Sequence, residues 1–152
     1  MITVLVILAT FLVPQVGAIR ERTRRASCLE NLRIIGVGLH TYAADNNGAF
    51  PTANAANTAF QSIYVTGNIT DPNVFNCPST NNTAPSGTVG GTNLANADYI
   101  YNDTDLNDQS AGTSVVSADN DTSHASPAGW NVVRVSGSVG QVTTDPLGAD
   151  ND

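Results

Sequence analysis

The sequence predicts an α+β fold, with one long N-terminal α-helix acting as a stalk and packed on a small antiparallel β-sheet head of three to four strands. Three observations carry that prediction. Residues 1–19 are uncharged and mostly apolar, and helix-patterned sequence continues from them to residue 45. Four short strand-like stretches appear only beyond residue 96, separated by Asn, Asp, Ser and Gly turns. Charge divides the chain too: five of the six arginines lie within the first 33 residues, and all eleven aspartates lie after them.

The opening run, as a helix, would reach ~28 Å, close to the ~30 Å hydrocarbon core of a bilayer. Its apolar positions are Met1, Ile2, Val4, Leu5, Val6, Ile7, Leu8, Phe11, Leu12, Val13, Val16 and Ile19. Pro14 removes a backbone donor and crowds the preceding turn, so with Gly17 it predicts a kink or a locally extended segment near residues 10–18. Three readings of this start stand side by side. Val16 and Ala18 fit the small-residue rule of a cleaved secretory signal, although no positive charge precedes the run. A plain membrane anchor is the second, and the arginines that follow would then favour a cytoplasmic head. The third is a stalk that lies in the membrane before assembly and afterwards packs against copies of itself.

From residue 19 to 45, Leu29, Leu32, Ile35, Leu39 and Tyr42 recur at three- and four-residue spacing, the signature of one apolar helix face. Gly36 and Gly38 are poor helix formers and predict close packing against the head's sheet. Asp45-Asn46-Asn47-Gly48 stops the helix, and Phe50-Pro51 opens an extended segment. The chain thus divides into a stalk, 1–48, and a head, 49–152. Within the head a short helix is expected near 58–66, burying Phe60, Ile63 and Tyr64. A surface loop is expected over 79–96, and strands near 97–102, 113–118, 130–136 and 139–143. The last two are joined at Gly137-Ser138, which reads as a tight hairpin turn. The acidic tail reads as surface.

Length allows one domain plus a stalk. Net charge is −7, but the first 33 residues carry five arginines against Glu21 and Glu30, a net +3, while the remainder has Arg134 against eleven aspartates, a net −10. So acidic a head repels nucleic acid. Its arginine collar would face lipid headgroups or acidic groups of a neighbouring copy. Cys28 and Cys77 fit no metal-binding spacing, and with an export-type N-terminus they read as a disulfide; two unrelated buried thiols is the alternative. Closing a loop of that size is worth roughly 3–4 kcal/mol.

Convergent catalytic groups are few. His40 on the stalk reads as an interface or surface residue, and His124 as a loop-fixing one; G-x-S-x-G, P-loop and H-E-x-x-H patterns do not occur. Asp103, Asp105 and Asp108, or Asp119 with Asp121, are candidate Ca²⁺ ligands, being carboxylates at alternate or nearby positions, though neither stretch has a full calcium-loop pattern. Solvated turns are the default reading. Trp130, Tyr99 and Tyr101 read as sheet-core aromatics rather than as a ligand groove.

The stretch RTRRASCLENLRIIGVGLHTYAADNNGAFP resembles the stalk-to-head passage of type IV pilin-like proteins, in particular the type II secretion pseudopilin-like proteins of planctomycetes. Arg24, Arg25, Cys28, Asn31, Leu32, Arg33, Ile35, Gly36, Leu39, Tyr42, Asp45, Gly48, Phe50 and Pro51 fall in register with that pattern. YVTGNITDPNVFNCPS and the segment from His124 through WNVVRVSGSV are similar to two further family motifs, although Ser136-Gly137 stands where the family has Asp-Gly. The family's mature start carries a glutamate used in assembly. Aligned on Pro14 and Cys28, Met1 falls about eight residues inside that start, and no acidic residue precedes Glu21. The expectation is either a clipped start or a subunit that assembles without that glutamate.

The resemblance implies a lollipop-shaped subunit, non-enzymatic and without a required cofactor. Residues 1–19 of identical copies would form the core of a helical filament, leaving the inner membrane for the cell surface. A pseudopilin of a secretion machine is the alternative within the family. A membrane-anchored periplasmic or surface binding module is the alternative from another class.

Overall fold

The computed structural model describes the backbone of residues 2–52, 56–80, 94, 97–102, 105–119 and 129–147, and side chains from residue 17 onward within those ranges, except residues 56 and 57. Helix α1 spans Ile2–Asp45, a single run of 44 residues and so ~66 Å long. Helical backbone continues through Pro14 and Gly17, so no extended segment interrupts it there. The Asp-Asn-Asn-Gly stop acts where the sequence puts it. Asn47 and Gly48 take positive φ, and the Gly48 amide donates to the Ala43 carbonyl at 2.8 Å, satisfying a carbonyl the helix leaves open.

The inner face of α1 is made by Cys28, Leu32, Ile35, Leu39 and Ala43, all essentially without exposure. Their spacing is the four-then-three rhythm of one helical stripe. Leu29 and Tyr42 are only half-buried at its margins. Helix α2, Ala56–Val65, starts two residues earlier than expected and buries Phe60, Ile63 and Tyr64 as predicted. A 3₁₀ turn, Pro72–Phe75, follows; Asp71 caps it by accepting from the Asn73 amide at 2.9 Å. Phe75 packs on Phe60 and Tyr64, at ring distances of 5.3 and 6.4 Å.

Four antiparallel strands are found among the described residues: β1 Tyr99–Tyr101, β2 Val115–Asp119, β3 Trp130–Arg134 and β4 Val139–Val142, in the spatial order β1-β2-β3-β4. β1 is shorter than expected at both ends, β2 is shifted later, and β3 and β4 begin where expected but end earlier. β2 begins later because Ala111 to Ser114 closes a turn, with the Ser114 amide on the Ala111 carbonyl. Val116 is an extra residue between the pairs Val115–Arg134 and Ser117–Val133, a bulge that the alternation of side chains did not reveal. β3 ends at Arg134. The hairpin turn is Val135, Ser136 and Gly137, not Gly137-Ser138: the Gly137 amide donates to the Arg134 carbonyl and the Arg134 amide to the Ser138 carbonyl. Gly137 supplies the positive φ that such a three-residue loop requires.

Two packing expectations need correction. Gly36 does meet the sheet, at Val133 of β3, but Gly38 faces Ile63 of α2 and Ile69 in the segment after it. Trp130 is half-buried, whereas Tyr99 and Tyr101 are the sheet's core aromatics. Among the described residues no helix is long and apolar enough to cross a membrane, a statement that leaves out the first sixteen side chains.

Candidate functional site

The strongest local architecture is the clasp that ties the head to α1. Cys28 sits at the start of the buried stripe and Cys77 just after the 3₁₀ turn; the two form a disulfide with Cα atoms 5.4 Å apart, spanning 49 residues of sequence. Both are fully buried. One turn further along α1, the Asn31 side chain donates to the Asn76 carbonyl at 3.0 Å. About two turns back from Cys28, Glu21 accepts from Ser79 at 3.3 Å and lies 3.7 Å from Arg25. Three successive contacts on one side of α1 therefore hold residues 76–79.

The clasp is closed from the other side by Asp98. Its Oδ2 accepts from the Cys77 amide at 2.9 Å and from the Thr80 hydroxyl at 2.7 Å, while its own amide donates to the Phe75 carbonyl at 2.9 Å. A carboxylate that collects two donors in a buried turn fixes that turn's shape. Sequence reasoning missed Asp98. It follows the Ser/Thr/Asn/Gly stretch 79–96, and nothing in its own neighbourhood marks it as buried.

Next along the chain, Tyr99 is buried with its hydroxyl making no hydrogen bond of ordinary geometry. Burial pushes its phenol above the ordinary range; the Asn31 amide opposes that shift, and the Asp119 and Asp98 carboxylates add to it. Tyr101 is likewise raised by burial, and its hydroxyl donates to the Pro51 carbonyl at 2.8 Å.

The candidate calcium residues do not converge among the described residues. Asp119 is fully buried, and its two oxygens accept from the Asn131 amide at 2.8 Å and the Asn131 side chain at 2.6 Å. Gln141 extends the same network to Asn131 at 3.1 Å. These carboxylate bonds join β2 to β3. Asp105 and Asp108 are exposed, and Asp108 lies beside Gly48, where its amide donates to the Gly48 carbonyl. Asp103, Asp121 and His124 lie outside the described residues, as do most of loop 79–96 and the side chains of residues 1–16. No group of three or more His, Cys, Asp or Glu close enough for a metal ion is found among the described residues. His40 stacks edge-on against Phe50 at 5.3 Å, near Gly137. It is an interface residue between stalk and head.

Below the clasp, α1 leaves the head. Gly17, Ala18, Ile19 and Arg20 are all exposed, and among the described residues Cys28 is the first that is fully buried. Arg20, Arg22 and Arg24 are exposed as well. Glu21–Arg25 and, at 3.7 Å, Glu30–Arg33 are the ion pairs found on the described part of the stalk. The stalk is thus basic where it leaves the head, and uncharged in sequence from there to residue 1.

No curated protein and no solved structure matches the chain. Residues 17–63, which run from the exposed part of α1 through its packed half into α2, match the model of a family described as "Protein of unknown function (DUF1559)".

Proposed function

We propose that this chain is a structural subunit that polymerises through its N-terminal apolar helix into an extracellular type IV pilus-like filament. One observation carries the reading. α1 is a single 44-residue helix, and among its described side chains packing into the head begins at about Glu21, with Gly17 to Arg20 exposed. A helix of that length, uncharged from its start to Ile19, needs either lipid or other protein to cover it. A filament supplies both in turn: the inner membrane before assembly, and copies of the same stalk afterwards.

The energetics favour the stalk as the adhesive element. Burying ~1000 Å² of apolar stalk surface at ~25 cal/mol per Å² yields a gross ~25 kcal/mol before ordering costs. The head then sets the filament's surface and twist. This reading assigns the chain no catalytic step and no cofactor.

Electron micrographs of material sheared from cells, with mass spectrometry of the subunit's N-terminus, test it. Filaments whose subunit retains residues 1–19 are expected. Only monomers that begin near Ile19 would overturn it and leave an exported domain. Short rods confined to the cell envelope would move the reading to a secretion pseudopilin.

A further inference from the structure

Asn47-Gly48 is the one Asn-Gly pair in the chain, and it stands where the stalk helix hands over to the head. In such a pair the following amide nitrogen reaches the asparagine's side-chain carbonyl carbon with least hindrance, because glycine puts no Cβ in the way. Asn47 is exposed, and no hydrogen bond engages its side chain among the described residues. It is also the one non-glycine residue among them with positive φ, at 55°. Asparagine tolerates that left-handed conformation better than most residues, and here it turns the chain off the end of α1.

The folded turn withholds the nucleophile. The Gly48 amide donates to the Ala43 carbonyl at 2.8 Å, and the Asn46 amide donates to the same oxygen at 3.0 Å. On the head's side, the Asp108 amide donates to the Gly48 carbonyl at 2.9 Å, and Ala49 bridges to Asn107. A Cβ on Gly48 would lie 2.5 Å from Oδ1 of Asp108, so that carboxylate sits against the glycine. Attack by the nitrogen would turn the side-chain carbonyl oxygen of Asn47 into an oxyanion. The neighbouring carboxylate and the negative end of the helix dipole both disfavour that charge. Asp45 is exposed in the same last turn, which holds no basic residue to offset it.

We propose that Asn47 is a spontaneous modification site, gated by the end of α1, whose conversion unfastens the joint between the stalk and residues 106–108. When the last turn opens, the Gly48 nitrogen bonds to Cγ of Asn47 and the Cγ–Nδ2 bond breaks. The departing nitrogen takes up the amide proton and leaves as ammonia. Water then opens the resulting succinimide at either carbonyl, giving aspartate or isoaspartate. Both products place a new carboxylate between Asp45 and the Asp108 that lies against Gly48. Isoaspartate also lengthens the main chain by a methylene between residues 47 and 48, so the Gly48 amide and carbonyl no longer meet Ala43 and Asp108 together. The change is irreversible and needs only water. It acts whether or not the chain polymerises.

The test ages the full-length chain, solubilised in a non-ionic detergent, in mildly alkaline buffer and maps amide-to-acid conversion at each asparagine by peptide mass spectrometry. A parallel sample is held unfolded in guanidinium chloride. In the unfolded chain Asn47 should convert before every other asparagine. Folding should slow it at least about tenfold, since opening a helix end tied on both sides costs free energy. Asp108→Ala should speed conversion in the folded chain about threefold, the scale of one surface charge, with hydrogen exchange of the Gly48 amide unchanged. In the aged chain, exchange of the Phe50 and Asp108 amides should rise while that of β2 and β3 stays as it was. Asn47→Gln, whose longer side chain closes a ring slowly, should keep its exchange pattern through the same ageing. Equal rates in the folded and unfolded chain would overturn the gate. Earlier conversion of another asparagine in guanidinium would overturn the choice of site, and unchanged exchange at Phe50 and Asp108 after conversion would overturn the unfastening.

Discussion

A Cβ atom on Gly36 would lie 2.7 Å from Cγ2 of Val133, so α1 and β3 approach so closely that any side chain at this position makes Val133 or the helix shift. Gly36→Ala should therefore destabilise the head by up to roughly 2 kcal/mol: overpacking costs about 1–3 kcal/mol, partly offset by the ~1 kcal/mol helix preference of Ala over Gly. Pairing it with Val133→Ala should recover part of that loss. Urea denaturation of the two single variants and the double variant measures the coupling; strict additivity would mean the contact is not tight.

Asp98 is expected to be the most sensitive polar residue of the head. Asp98→Ala strips the acceptor from the buried Cys77 amide and leaves the Thr80 hydroxyl with the Cys77 carbonyl, 2.8 Å away, in place of the carboxylate. A loss of about 2–4 kcal/mol is expected, because unsatisfied buried donors cost more than the net worth of the bonds they lose. Thr80→Val removes one donor and leaves the other in place, so it should cost only about 1 kcal/mol. Equal effects from the two variants would show that Asp98 acts through something other than this turn.

Cys28→Ala with Cys77→Ala should lower stability by roughly 3–4 kcal/mol if the 49-residue closure acts by restricting the unfolded chain. The clasp contacts of Asn31 and Glu21 should persist in the folded variant. Denaturation midpoints with and without reductant give the magnitude, and hydrogen exchange of residues 76–80 tests the persistence. Fast exchange there in the folded double variant would mean that the sulfur bridge alone holds the turn.

Alkaline titration should reveal the two sheet tyrosines. Burial raises the phenols of Tyr99 and Tyr101 above their unfolded value near 10. Below that value both states hold the proton and stability is unaffected. Above it the unfolded chain loses protons that the folded chain keeps, so stability falls with rising pH, by up to about 1.4 kcal/mol per pH unit for each tyrosine. Tyrosinate absorbance, followed with circular dichroism, should show part of the tyrosine signal appearing only together with unfolding. Complete ionisation in a still-folded head would contradict the burial.

Much of the fold was legible because its signals are local. The three-and-four rhythm from Leu29 to Tyr42, the Asp-Asn-Asn-Gly stop and the Phe60/Ile63/Tyr64 pattern each depend on neighbours within a turn or two. The cysteine pairing was legible by elimination, since two cysteines without a metal pattern leave few partners. Less legible was anything set by residues returning from afar. Gly38 and Gly36 look alike in sequence, yet one meets Ile69 and the other Val133. Asp119 reads as a metal candidate by spacing, but the approach of Asn131 across β2 and β3 makes it a buried hydrogen-bond acceptor.

By itself, then, the sequence determined the stalk, its charge collar, the strand-rich head and the location of the stops, because periodicity and turn chemistry act over a few residues. Tertiary structure alone decided where β2 bulges at Val116, and that Asp98 locks the Cys77 turn. Those outcomes depend on chain segments well separated in sequence meeting in one place, as Cys77 and Asp98 do across 21 residues. Local preference does not encode such meetings; the packing of the whole head selects them.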